Sequence, residues 1–202
     1  MKIIAVGRNY LEHARELNNA VPSNPVIFLK PDTAILRDNK PFYLPDFSND
    51  IQHEVEIVLK IAKEGKCIQE KFASGYIQDI SLGIDFTARD LQQQLKEKGL
   101  PWELSKAFDY SAVVGDFISV NHIDMNAIDF SLKVNDVIRQ QGCSSEMIFS
   151  FEKIISFVSS FITLRKGDLI FMGTPSGVAQ VNKGDHLQGF IAEREMFNFH
   201  IR

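Results

Sequence analysis

From residue 113 to its end the chain never stays in one pattern for long. AVVGDFISV, IDFSLKVND, LIFMG and a final pair around GFI and MFNFHI are short runs of β-branched and aromatic residues, punctuated by Gly, Asn, Asp and Pro. Such runs predict short strands, and one stretch departs from them. Over 149–161, Phe151, Ile154, Ile155, Val158 and Phe161 recur at helical spacing and predict a helix with its stripe in the core. Upstream, IIAVG, VIFLK, EVEIVLKIA and SLGID read as strands, and helices are predicted over YLEHAREL, through the 70s and over TARDLQQQLKEKG. Asn9 is the expected N-cap of the first of these, with Glu12 three residues on and Asn18-Asn19 as its stop. Thr87 and Asp90 form the expected capping box of the last, and Gly99 ends it before Pro101. Many strands, few helices and no βαβ alternation predict a β-rich α+β fold.

Charge and composition narrow the function. The chain of 202 residues is long enough for one domain with a sizeable core, and 45% hydrophobic with 24% charged residues is ordinary for a globular protein. A formal net charge of -4 gives no basic footprint for nucleic acid. No apolar stretch approaches a membrane span, and the start, MKIIAVGRNY, has too short an apolar run for a signal peptide, so a cytoplasmic setting is expected. Cys67 and Cys143 stand far apart and suggest neither a disulfide framework nor a thiolate zinc site.

The chemistry concentrates in a few segments. In HEVEIVLK, strand alternation points Glu54 and Glu56 to one face, while His53, Val55, Ile57 and Leu59 take the other. Two carboxylates so placed repel unless water or a cation lies between them, and the spacing alone equally describes a solvated strand face. In GIDFTARDLQ, Asp85 stands where a strand runs into a helix, with Arg89 and Gln92 three apart on that helix. Read singly, Asp85 is a turn residue and Arg89 a surface cation; with Glu54 and Glu56, Asp85 supplies a third oxygen donor for a hard cation such as Mg²⁺ or Mn²⁺. Three carboxylates and one divalent ion leave about one negative charge, which a Lys or Arg nearby would balance. Lys106 sits in the mixed stretch PWELSKAFDYS, where a lysine more often snorkels to solvent. His13 and Glu16 share a helix face at i, i+3, the spacing of a general base and its orienting carboxylate and also of a routine surface pair. GDLIFMGTPSGV ends a strand in a Gly-Thr-Pro loop without the Lys of a P-loop; it is a tight turn, or a place where Thr174 and nearby amides hold a carboxylate.

Taken in order, VGRNYLEHARE, HEVEIVLK, GIDFTARDLQ, LPWELSKAFD, RQQGCSSEMIF and GDLIFMGTPSGV closely resemble the fumarylacetoacetate hydrolase family, in particular its short acylpyruvase-like members. The resemblance covers nearly the whole chain. It implies the family's mixed β-sandwich roll over 1–202 as a single catalytic domain, a homodimer and a site dependent on Mg²⁺ or Mn²⁺. By residue-by-residue matching, it implies Glu54, Glu56 and Asp85 as the metal ligands and His13 with Glu16 as a mobile-lid dyad that activates water. Lys106 corresponds to the active-site lysine, and Arg89, Gln92 and Thr174 to substrate-contacting positions. Two departures affect loop geometry: Ala107 stands where the family often has glycine, and Asn135-Asp136 where it often has Asn-Gly. The additional N-terminal domain of the true fumarylacetoacetate hydrolases has no counterpart in these residues.

The implied function is metal-dependent hydrolysis of the C–C bond in an acylpyruvate or related 2,4-diketo acid, giving pyruvate and a carboxylic acid. Oxaloacetate decarboxylation and 2-oxo-dienoate isomerisation or hydration are alternatives that use the same metal site. A non-catalytic β-rich module with a structural cation, and a degenerate scaffolding relative, are the rivals from outside enzymology. The expected partner is a small 2-oxo or diketo acid, with neither nucleic acid nor membrane.

Overall fold

The computed structural model describes residues 1–16 and 20–202. Ile3–Gly7 lies one strand in from the edge of an eight-stranded mixed sheet, parallel to Leu169–Phe171 and antiparallel to the edge strand Val26–Lys30. Beyond Leu169–Phe171 the sheet continues through Val55–Ile61, Ile77–Asp85, Ala112–Val114 and Ile35–Leu36, with Ile118–Ser119 also paired to Ile77–Asp85. Alternation divides each strand between two apolar layers. Ile4, Val6, Val55, Ile57, Leu59 and Ile170 enter the main core, while Ile3, Ala5, Val58, Leu169 and Phe171 face a second one.

A four-stranded antiparallel sheet, in the order Val137–Cys143, Asp129–Val134, His186–Ile191 and Arg194–His200, shares the main core through Phe130, Leu132, Leu187 and Phe197. The first two of these strands join at Asn135-Asp136, both with positive φ (52° and 65°), the backbone of a tight hairpin turn. A small third sheet pairs Ala179–Gln180, Ile51–His53 and Thr87–Ala88. The predicted β-rich α+β class is what the chain adopts, as a curled mixed sheet.

Among the described residues, four α-helices decorate these sheets: α1 (Leu11–Glu16), α2 (Arg89–Glu97), α3 (Glu103–Lys106) and α4 (Phe151–Phe161). Helix α4 is capped by Ser150, whose hydroxyl accepts from the Lys153 amide at 3.2 Å, and it buries Phe151, Ile154, Ile155 and Val158 as the stripe predicts. Phe161 departs from the stripe: it is 67% exposed and packs on Phe157 instead, because the helix ends there. The 70s form a 3₁₀ stretch, Glu70–Tyr76, rather than an α-helix. Gly99 ends the α2 region with φ +63°, as expected.

Neither expected N-cap is used as one. The Asn9 side chain accepts from the Phe149 amide (2.8 Å) and donates to the carbonyls of Met172 (2.8 Å) and Phe149 (3.1 Å), so it ties the start of α1 to distant chain. The Thr87 hydroxyl is drawn to Lys106, and Asp90 accepts from Ser48 (2.6 Å) and the Asn49 amide (2.9 Å). A tertiary partner has outcompeted the local cap in each case. The expected stop at Asn18-Asn19 lies outside the described residues.

Candidate metal centre and active site

Glu54 falls between Ile51–His53 and Val55–Ile61, at the point where the chain passes from the small sheet into the large one. Its carbonyl accepts from the Asp85 amide at 2.8 Å, which fixes the end of Ile77–Asp85 beside it. Glu54, Glu56 and Asp85 are 5%, 2% and 1% exposed, so the solvated-face reading of the two glutamates does not hold. One carboxylate oxygen from each lies within 4.8 Å of the others.

Three buried carboxylates at such range require compensation. Lys106, at the end of α3, donates to Glu54 Oε2 (2.7 Å), Asp85 Oδ2 (2.7 Å) and Thr87 Oγ1 (2.6 Å). It is buried here rather than snorkelling. Burial works against its charge, but Asp85 and then Glu54 outweigh that and raise its pKa. Arg89, at the start of α2, pairs with Glu54 and donates to Gln92 (2.7 Å) and Gln52 (2.8 Å). Glu54 is accordingly held well below the carboxylate range: burial pushes it up, and Lys106, Arg89 and His13 together push it further down. Glu56 goes the other way. Burial first, then the charges of Asp85 and Glu54, raise its pKa, against Lys106 and a hydrogen bond from the Gly173 amide at 2.7 Å.

A third cation comes from an unforeseen place. Lys30 ends an apolar strand, yet its side chain is fully buried, donating to Ser111 Oγ (2.9 Å), the Ser111 carbonyl (3.2 Å) and the Lys106 carbonyl. Its Nζ is 2.6 Å from Asp85 Oδ1 without hydrogen-bond alignment, so that oxygen is buried with a charge beside it and no directed partner.

This donor set fits a hard divalent ion. The three groups offer oxygen only, their ligand atoms already converge, Asp85 keeps an undirected oxygen, and Glu56 is the carboxylate left undercompensated. Three protein ligands of a usual six would leave positions for substrate and water.

The remaining expected residues reach the same cavity. His13 is buried on α1 with Nδ1 3.2 Å from Glu16 Oε2, and Glu16 Oε1 accepts from the Gly177 amide at 3.0 Å. His13, Arg89, Gln92, Lys106 and Thr174 all line the cavity together with the three carboxylates; Glu16 stands behind His13. Gly173, which supplies the amide for Glu56, has φ +92°, and a Cβ there would come 2.6 Å from that of Asn9.

Thr174 is oriented from behind. Gln140 Oε1 accepts from the Val55 amide (3.1 Å) and faces His53 Nδ1 (2.8 Å), so that ring nitrogen carries a hydrogen. Gln140 Nε2 then donates to the Pro175 carbonyl (2.9 Å) and Thr174 Oγ1 (2.8 Å). Thr174 accepts on that side, leaving its own hydrogen to donate elsewhere. Sequence reading passed over Lys30 and Gln140. The one signal for Gln140 is its inward place in a strand, Val137–Cys143, whose flanking residues are exposed.

Comparison with known proteins shows the family. The family description "Fumarylacetoacetate (FAA) hydrolase C-terminal" matches residues 2–201. The chain is similar to a mitochondrial oxaloacetate tautomerase of Mus musculus, 44% identical over 190 residues, which cover 94% of this chain and 86% of the relative. It is similar also to a mitochondrial oxaloacetate decarboxylase of Dictyostelium discoideum, 43% identical over 185 residues, 91% of this chain and 85% of the relative. Among solved structures, fumarylpyruvate hydrolase from Pseudomonas aeruginosa, in complex with Mn²⁺ and pyruvate, superposes with a TM-score of 0.95 at 32% identity, covering 100% of this chain and 89% of that one.

Proposed function

Because this chain belongs to the fumarylacetoacetate hydrolase family, we propose that it carries out metal-dependent chemistry on a 2-oxo acid, with residues 1–202 acting as one catalytic domain. The observation that carries the reading is the convergence of Glu54, Glu56 and Asp85 with Lys106 against them. A Mg²⁺ or Mn²⁺ ion held by those carboxylates would supply Lewis-acid polarisation of the 2-keto oxygen. The Mn²⁺ and pyruvate of the Pseudomonas aeruginosa relative support this ion and ligand class.

In hydrolysis of an acylpyruvate, Arg89, Gln92 and the donor hydrogen of Thr174 bind and orient the substrate. Glu16 holds His13 through Nδ1, which leaves Nε2 to take a proton from water as that water adds to the distal carbonyl. The C–C bond then breaks, its electron pair passing to the pyruvate fragment as an enolate, while the acyl carbon leaves as a carboxylic acid. The Lys106 ammonium neutralises the negative charge that develops, and a proton returned to the enolate carbon gives pyruvate.

A second reading has a specific observation behind it. The curated relatives at 43–44% identity act on oxaloacetate by name, as tautomerase or decarboxylase. The same residues serve that chemistry: His13 would move a proton at the carbon next to the ketone, or carbon dioxide would leave in place of the acyl group. A homodimer in the cytoplasm completes the reading, although the relatives cited are mitochondrial.

Purified protein assayed with acetylpyruvate, fumarylpyruvate and oxaloacetate, with and without Mg²⁺ or Mn²⁺, tests both readings. Proton NMR of the products separates hydrolysis, decarboxylation and tautomerisation. Undiminished turnover in excess chelator, or no turnover of any of the three with metal, would end the proposal.

A further inference from the structure

The cavity is graded from floor to mouth. Its floor, Glu54, Glu56, Asp85, Lys106 and Thr174, is buried, whereas Arg8, Arg89, Lys96 and Trp102 are half-buried. The enclosed part of the cavity is small, about 30 Å³, and it opens to solvent at the mouth. Whatever part of a substrate extends beyond the ketoacid end must therefore run out past the half-buried residues.

Two of those residues are cations without a salt bridge among the described residues. Arg89 and Lys106 are paired with the acidic floor, but among the described residues Arg8 and Lys96 form no ion pair and no side-chain hydrogen bond to protein. Instead each flanks Trp102: the Arg8 guanidinium carbon is 6.0 Å, and the Lys96 ammonium 5.4 Å, from a ring centroid. Burial, and then the charges of Arg89, Arg8 and Lys106, hold Lys96 below its ordinary pKa against the opposing pull of Glu54. Arg8 has φ +63°, a left-handed backbone uncommon for a residue with a Cβ, at the turn that leads into α1. Cations crowded around one opening repel each other, and an anion binding between them relieves that repulsion.

We propose that Arg8 and Lys96, framing Trp102, bind a second carboxylate on the substrate, so that the site selects dianionic 2-oxo acids over those with a neutral tail. This rests on the 2-oxo acid reading of the floor and deepens it. A guanidinium and an ammonium meeting one carboxylate give charge-assisted hydrogen bonds, which a ketone or methyl tail cannot accept in their place.

Trp102 is the only tryptophan in the chain, so its fluorescence reports on ligands at the mouth without relying on turnover. Protein loaded with Mg²⁺ is titrated with 2-oxoglutarate, a dianion, and with pyruvate, a monoanion. The expected result is an affinity for 2-oxoglutarate at least about tenfold higher, with the ratio of the two affinities falling toward one in Arg8→Gln/Lys96→Gln and largely restored in Arg8→Lys. Raised ionic strength should compress the ratio in the same direction. Lys96 is half-buried and forms no salt bridge among the described residues, so Lys96→Gln alone carries the test should the Arg8 variant fold poorly. Equal affinities in the unmodified protein, or equal losses for both ligands in the variants, overturn the proposal and leave the 2-oxo acid reading intact. Metal binding with no response to either ligand overturns that underlying reading as well.

Discussion

The two sides of the cavity are built on different principles. On one side Glu56 and Asp85 stand on strands of the large sheet, Glu54 links two strands, and all three carboxylates are buried. On the other side His13 and Glu16 ride on α1, described over Leu11–Glu16, outside the sheets. What fixes α1 is a handful of tethers: buried Ala14, the three bonds of Asn9, the bridge between Tyr10 and Met147 and the Gly177 amide on Glu16. The contrast teaches a division of labour. In the function proposed, the strand wall would set where a cation and a ketoacid bind, and α1 whether water or substrate meets a base.

The largest expected loss comes from the wall. Glu56→Gln should lower Mn²⁺ affinity, followed by calorimetry, and turnover together, the latter by at least about 10³-fold; a variant that still binds the ion normally would break the assignment. On the opposite side, His13→Ala should reduce kcat by about 10²–10⁴ while Mn²⁺ affinity stays within about twofold. If both quantities fell together, the two sides would not be separable. Loosening a tether should cost less. Asn9→Ala leaves buried backbone groups unpaired, about 1–3 kcal/mol, and should lower the melting temperature by several degrees and kcat more than metal affinity. An unchanged melting curve would mean that α1 is held by something else.

The smallest effect tests the wall's electrostatics. Because the Glu56 pKa is raised on folding, stability is full below the unfolded carboxylate value and is lost as pH rises through the folded one. Metal-free Glu56→Gln should thus melt above metal-free unmodified protein at pH 8, by the few degrees that about 1 kcal/mol gives a chain of this size, with the gap closing toward pH 4. A gap that widens on acidification would reverse the sign and refute the account.

How much of this was legible beforehand depends on what each residue had to compete with. HEVEIVLK places Glu54 and Glu56 on one face by alternation, but the same spacing describes a wet strand, and only the order of motifs favoured a buried cluster. Asp85 was readable at a strand–helix junction. Lys30 was not: a lysine ending an apolar strand looks the same whether its ammonium turns outward or is drawn in by Asp85 and Ser111. Asn9 and Thr87 were misread as caps for the same reason, since a cap needs only local sequence while a tether needs the fold. Helix α4 is the element most legible from pattern alone, up to Phe161, where the stripe outruns the helix.

The three residues after Phe171 have a consequence of their own. The Met172 carbonyl anchors Asn9, the Gly173 amide grips Glu56, and Thr174 lines the cavity. A shift of that hinge plate by even a fraction of an ångström would therefore disturb ion, base and ligand at once, and Gly173 has no room for a side chain to absorb it. Redesign of this scaffold for other acids has to leave the plate alone and work from the rim inward.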